Sequence, residues 1–200
     1  MKRAVLVAIA VVLAGAAQAQ MPPARELRFA LQGGISAGGD ELATAVFADG
    51  STQSIRAGGL FQFSGGVLWQ PQSTPVALQA TFGYHADSVS ARNGELRFSR
   101  YPFEFLAFYT GVPQWRFGGG VRYVTDPRLK VDVPGENADI RFDDTVGIVG
   151  EIGYRLGYYA WVNLRVTAEN YEVKSINGVN VTATERASGN AAGVNVVFHF

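Results

Sequence analysis

Residues 160–169 read Ala160-Trp161-Val162-Asn163-Leu164-Arg165-Val166-Thr167-Ala168-Glu169. Successive side chains of an extended strand point to opposite faces. This stretch therefore places Ala160, Val162, Leu164, Val166 and Ala168 on one side and Trp161, Asn163, Arg165, Thr167 and Glu169 on the other. The same period of two recurs seven more times. Leu27, Phe29, Leu31, Gly33 and Ile35 alternate with Arg28, Ala30, Gln32, Gly34 and Ser36. Ile55, Ala57, Gly59, Phe61 and Phe63 form the apolar row of a second segment, and Val76, Leu78, Ala80, Phe82 and Tyr84 that of a third. Tyr101, Phe103, Phe105, Ala107 and Tyr109 oppose Arg100, Pro102, Glu104, Leu106 and Phe108 in the fourth. Trp115, Phe117, Val121 and Tyr123 oppose Arg116 and Arg122, and Val146, Ile148, Ile152 and Tyr154 oppose Gly147, Val149 and Glu151. The last segment sets Val194, Val196, Phe198 and Phe200 against Gly193, Asn195, Val197 and His199.

Eight alternating segments, an even number, are joined by connections that themselves alternate. Those near 71–75, 110–114 and 156–159 are short; those at 37–54, 86–95, 125–144 and 172–189 are longer, polar and rich in Asp, Asn and Gly. Short turns at one rim and long loops at the other predict an all-β, eight-stranded antiparallel up-and-down transmembrane β-barrel with four extracellular loops. Asp49-Gly50 and Asn177-Gly178 are hairpin dipeptides, so the first and last loops are expected to rise as ribbons above the rim. The apolar rows carry no charge and place Tyr84, Tyr101, Tyr109, Trp115, Tyr123 and Tyr154 toward their ends, in the manner of interfacial aromatic girdles. A water-soluble barrel of the lipocalin type inverts this arrangement, with apolar side chains inside. Lipid tolerates a sheet only when closure leaves no unpaired backbone edge.

Composition agrees. The 200 residues hold 17 basic and 17 acidic groups, 24 Gly and no Cys. That balance lacks the basic surplus of a nucleic-acid binder, and the missing thiols exclude disulfide scaffolds, Cys nucleophiles and Cys-based metal centres. Met1-Lys2-Arg3 followed by the run Ala4–Ala17 and by Ala17-Gln18-Ala19 predicts a cleaved signal peptide over 1–19. A transmembrane anchor fits less well, since the run is short, Ala-rich and followed by no charged stop. The expected organisation is therefore a signal peptide at 1–19, a short segment at 20–25 and a barrel domain at 26–200.

The closing strand Val194-Asn195-Val196-Val197-Phe198-His199-Phe200, with its terminal Phe, resembles the assembly signal of Gram-negative outer-membrane barrels. The whole of 26–200 resembles their small eight-stranded, OmpA/OmpX-type members. That resemblance implies location in the cell outer membrane. It implies partnership with outer-membrane lipids, lipopolysaccharide and the barrel-assembly machinery, the last through Phe198 and Phe200. A monomer that binds no nucleic acid is expected. Nothing in the sequence resembles the peptidoglycan-binding domain that larger relatives append.

The inward rows collect Gln32, Gln62, Gln79, Glu104, Arg122, Glu151, Asn163, Arg165, Glu169 and Asn195. Pairing Tyr109 with Trp115 sets Glu104 diagonal to Arg122, and pairing Tyr154 with Ala160 sets Glu151 diagonal to Arg165. Buried charges persist when paired, so Glu104, Arg122, Glu151, Arg165 and Glu169 are expected to form a lumen network. Eight strands enclose a space that side chains can fill, which favours a plugged lumen over a narrow channel for ions or small solutes.

Enzymatic readings find less support. Gly34-Ile35-Ser36-Ala37-Gly38 matches a nucleophile elbow in letters, with Asp143 and His199 following in hydrolase order, but it closes a strand rather than a strand-to-helix turn. His85-Ala86-Asp87-Ser88 suggests the outer rim of a lipid-modifying barrel, yet period two separates Ser88 from His85, which is better read as a hydrogen-bonding rim group. The acidic loop 125–144 lacks a cation-ligand spacing, and the glycines at 33–39 lack the Lys-Ser/Thr of a phosphate loop. No catalytic, metal or cofactor residues are expected. The reading is a structural or surface-interaction protein of the cell envelope.

Overall fold

The computed structural model describes residues 26–46, 52–91, 94–133, 136–181 and 186–200. The expected signal peptide, the segment 20–25 and the Asp49-Gly50 turn lie outside these residues. Among the described residues the regular elements are all strands: β1 (Leu27–Gly38), β2 (Glu41–Val46), β3 (Thr52–Arg56), β4 (Leu60–Trp69), β5 (Val76–Ala91), β6 (Gly94–Tyr109) and β7 (Trp115–Val133). They continue with β8 (Glu136–Phe142), β9 (Thr145–Arg155), β10 (Ala160–Ala168), β11 (Asn170–Ile176), β12 (Val179–Asn180), β13 (Arg186–Ser188) and β14 (Ala191–His199).

Antiparallel pairing runs β1–β4–β5–β6–β7–β9–β10–β14 and returns to β1, which closes an eight-stranded barrel. The two ends of the chain's barrel portion seal it. Phe29 N–H donates to Phe200 O at 3.1 Å, and Phe200 N–H donates to Phe29 O at 2.9 Å. Outward positions are the apolar rows expected from period two, among them Leu31, Phe63, Phe82, Phe103, Val121, Ile148, Leu164 and Val194, all exposed. Inward positions, including Gln32, Gln79, Glu104, Arg122, Glu151, Asn163 and Asn195, are buried.

Two expectations need correction. Read as one strand, 55–63 would put Ile55 and Ala57 outside with Phe61 and Phe63. Instead β3 ends at Arg56 and β4 begins at Leu60, and Ile55 and Ala57 are wholly buried. The intervening turn resets the alternation, because Ala57 N–H donates to Asp40 O and Gly59 N–H to Arg56 O rather than to a barrel neighbour. Second, the long connections are largely strand. β5 and β6 pair out to Ala91 and Gly94, β7 continues above the barrel to pair with β8, and β8 pairs in turn with β11. Asn177 and Gly178, both with positive φ, turn β11 into β12.

These ribbons bury a core of their own. Ile55, Ala57, Val89, Leu96, Phe98, Val124, Leu129, Phe142 and Tyr171 form one apolar cluster at the long-loop end, with Phe98 edge-on to Phe142 at 5.6 Å and to Tyr171 at 5.5 Å. A smaller cluster, Leu68, Ala77, Leu106, Phe108 and Val149, lies inside the opposite end. Gly118 is required there, since a Cβ at that position would enter the Phe108 ring. Between the two clusters lies a belt of polar and charged side chains.

Candidate functional site

Apart from Glu169, which stands just past the end of β10, the charged members of the belt are inward residues of barrel strands, so their direction is fixed by the pleat and their height by the register. The register differs from the expected one by two residues. Tyr109 pairs with Phe117 and Tyr154 with Val162, so Glu104 stands directly across from Arg122 and Glu151 directly across from Arg165. Turn closure sets this offset: Leu156 N–H donates to Ala160 O at 3.0 Å, so the first ladder pair beyond that turn is Arg155 with Trp161. An even slip leaves every face unchanged and turns the anticipated diagonal pairs into direct ones.

Glu104, Arg122, Glu151, Arg165 and Glu169 come together as one chain of ion pairs. Glu169 Oε2 lies 3.0 Å from Arg122 Nε, and Arg122 Nη1 lies 3.3 Å from Glu104 Oε1. Glu104 also accepts from Arg165 across the lumen, and Arg165 Nη1 lies 2.7 Å from Glu151 Oε1. Two further arginines extend the chain. Arg100 Nε stands 3.8 Å from Glu169, and Arg116 Nη2 stands 3.9 Å from Glu151. Inward parity had marked both, but parity on one strand cannot show which carboxylate a neighbouring strand presents. Neutral groups bridge the rest: Arg116 Nε donates to Asn163 Oδ1, Asn163 Nδ2 to Asn195 Oδ1, and Asn195 Nδ2 to Glu151 Oε1. Tyr171 hydroxyl donates to Glu169 Oε1 at 2.6 Å, and Arg100 lies over the Phe98 ring at 4.9 Å, which ties the belt to the upper apolar core.

Buried charge is balanced in number. Among the described residues the buried charges are Arg100, Arg116, Arg122 and Arg165 against Asp87, Glu104, Glu151 and Glu169. The cavity beside His85, Arg100, Arg122 and Arg165 measures ≈ 10 Å³, about the room one water centre needs.

His85 is buried in this belt rather than placed at the rim. Its Nδ1 accepts from Arg122 Nη2 at 3.0 Å, Arg100 Nη2 stands 2.9 Å from Nδ1 and 3.3 Å from Nε2, and Nε2 faces Ser36 Oγ at 3.2 Å. A guanidinium can only donate, so the tautomer carries its hydrogen on Nε2 and donates to Ser36. Ser36 in turn donates to Gly58 O at 2.8 Å. The elbow-like serine thus meets a histidine, though not His199, and that histidine has no lone pair free for the serine proton. His199 lies at the short-turn end, with Nε2 3.3 Å from Gln79 Oε1.

The described parts of the acidic loop, 125–133 and 136–144, are paired and partnered. Asp139 accepts from Arg128 Nε at 2.6 Å, Asp143 lies 3.6 Å from Lys174 Nζ, and Asp144 accepts from Tyr123 hydroxyl at 2.9 Å and from Asp126 N–H at 3.1 Å. The Arg128 hydrogen bond, foremost, holds the Asp139 carboxyl below its ordinary range. Phe198 and Phe200 stack at 6.3 Å on the outer surface beside Tyr159.

No protein-family model matches this chain, and no curated protein does. Among solved structures it is similar to Neisserial surface protein A at 11% identity, covering 88% of this chain and 98% of that one with a TM-score of 0.48. It is also similar to the N-terminal β-barrel domain of Pseudomonas aeruginosa OprF at 10% identity, covering 88% and 98% with a TM-score of 0.39.

Proposed function

We propose that this chain is an integral outer-membrane barrel whose lumen is a structural plug, and that it serves the envelope as a scaffold for the ribbons it projects outward. The observation that carries the reading is the pairing of an uncharged apolar exterior with a balanced, filled interior. Exterior aromatic residues bracket the apolar rows: Trp115 packs on Tyr154 at 5.0 Å at the short-turn end, and Tyr84 on Tyr101 at 5.5 Å toward the loops. On β7 the girdle residues Trp115 and Tyr123 are eight residues apart. At ~3.3 Å per residue and a tilt of ~40° that is about 20 Å of height, near the ~25 Å apolar band of such barrels.

A buried ion pair opens only against the cost of leaving its partner unpaired in a poor dielectric. Four arginines and three glutamates in one connected belt, with ≈ 10 Å³ of space beside Arg100, Arg122 and Arg165, support a closed lumen over a conducting one. Outer-membrane lipids and lipopolysaccharide would contact the exterior. The barrel-assembly machinery would read Phe198 and Phe200, and one barrel would act alone.

The test has three readouts. A band that shifts on boiling, found in outer-membrane fractions, supports the membrane barrel; a soluble periplasmic band without a shift overturns it. Steady conductance in planar bilayers refutes the plug while leaving the barrel intact. A change in lipid A mass on expression would instead make the chain a lipid-modifying enzyme.

A further inference from the structure

At the short-turn end the lumen holds a cavity of ≈ 210 Å³ whose lining shares Arg116 with the ion-pair belt. We infer that this cavity is a binding site for a phosphate-class oxyanion, held by Arg116 and Arg155, with Arg28 also in its lining. Among the described residues that line it, Arg28, Arg116 and Arg155 bring cationic heads and His199 an imidazole, while no Asp or Glu takes part.

The two principal arginines are fixed by rings. Arg116 lies 4.3 Å from the Phe108 centroid and 5.0 Å from that of Trp161, and Arg155 lies 5.5 Å from Tyr158 and 6.0 Å from Trp161. Stacking orients a guanidinium plane and leaves its N–H edges for hydrogen bonds. Arg116 is 2% exposed, and its Nη2 makes no hydrogen bond; it stands 3.9 Å from Glu151 Oε2 in the long ion pair already described, an oxygen that also lacks a hydrogen-bond partner. At 3.9 Å neither atom gives the other a hydrogen bond, so the Arg116 donor is open to an acceptor entering the cavity. A cation would be repelled there, and an apolar guest would leave the donor unmet. An oxyanion gains charge-assisted bonds in a concave site that concentrates field.

Volume narrows the class further. The cavity falls below the ~300–1,000 Å³ of drug-sized sites, which suits a phosphate group with a small substituent. The same group arrives from two sources, a soluble phosphate ester or the headgroup of an anionic lipid at this rim.

Refolded protein in uncharged detergent, labelled with ¹⁵N-tryptophan, tests the site directly. Sodium phosphate is titrated at constant ionic strength while the indole signals of Trp69, Trp115 and Trp161 are followed. The expected result is a saturable shift at Trp161, weakened about tenfold or more by Arg155→Gln. The shift should survive Arg97→Gln, which alters an exposed pair with Glu95 at the opposite end. Arg155 is exposed at the rim, so its substitution leaves the heat-modifiable band in place; Arg116→Gln, also checked for that band, should weaken the shift likewise. Nanodiscs of phosphatidylglycerol without free phosphate form the second arm. A Trp161 shift in them that free phosphate no longer augments assigns the site to a lipid headgroup, and a shift with free phosphate alone assigns it to a soluble ester. No saturable shift in either arm, or equal affinity in Arg155→Gln, overturns the site.

Discussion

Glu104→Gln tests the lumen belt at its centre. The amide keeps the shape of the carboxylate and removes one charge, and Glu104 is the group that joins Arg122, at 3.3 Å, to Arg165 across the lumen. After substitution the buried balance of four arginines and four carboxylates becomes four against three. Removing one partner from a buried, hydrogen-bonded pair costs about 3–5 kcal/mol, because the remaining charge stays desolvated. The loss should fall in that range, since Arg122 retains Glu169 and Arg165 retains Glu151, yet each loses a partner. Arg165→Gln alone should cost a similar amount. The double variant restores three against three, so it should be more stable than the summed single losses predict, by about 1–3 kcal/mol of coupling. Reversible urea unfolding in lipid vesicles, followed by tryptophan fluorescence, measures all four proteins. A loss under about 1 kcal/mol for Glu104→Gln, or simple additivity, would mean the lumen is wet enough to screen these charges, and the plug argument would fail.

Three further perturbations probe the exterior, the seal and the ribbons. Leu164 faces outward with 62% exposure and lies four residues up from Ala160 on β10, which is about 10 Å above the short-turn end. Leu164→Arg should therefore cost about 2–4 kcal/mol in vesicles, whereas Leu156→Arg, in the turn itself, should cost about 0–1 kcal/mol; equal values for the two would reverse the facing of the barrel. Deleting Phe200 removes two backbone bonds to Phe29, about 0.5–1.5 kcal/mol each. Refolded stability should thus fall modestly while outer-membrane levels in cells collapse, and normal levels would end the assembly-signal assignment. The Asp139 carboxyl, followed by carbon-detected NMR, should titrate below the usual ~3.9 of an aspartate and return toward it in Arg128→Gln, the hydrogen bond from Arg128 being the foremost cause. A depressed folded value means the pair supports the β7–β8 ribbon above the unfolded aspartate value, and that support disappears as pH falls through the folded one. An unchanged midpoint in Arg128→Gln would refute the pairing.

The two ends of the lumen divide the molecule's chemistry. Toward the loops, Arg100 over Phe98 and the Tyr171–Glu169 hydrogen bond join the ion-pair belt to an apolar core, so ribbons and belt are packed as one body. Toward the short turns, Arg116, lying over the Phe108 and Trp161 rings, joins the belt to a basic cavity. Gly153 serves this junction, because a Cβ there would collide with Asn163 and with the Arg116 side chain.

Much of this was legible in the chain alone. Period two in segments such as 101–109 and 160–168 determined which side chains face outward and which face inward, because the pleat forces alternation whatever the partner strand. An even count of segments and the alternation of short and long connections determined the closed antiparallel topology. The inward rows likewise announced Glu104, Arg122, Glu151, Arg165 and Glu169 as groups needing partners. Tertiary structure decided what depends on more than one strand at once. The two-residue register set by turn closure made Glu104–Arg122 and Glu151–Arg165 direct pairs, and barrel curvature brought Arg165 across to Glu104. The turn after Arg56 reversed the facing of Ile55 and Ala57, and ribbon pairing turned polar connections into strands around Phe98 and Tyr171. Alternation is a property of the single chain; register, curvature and the meeting of loops are properties of its closure.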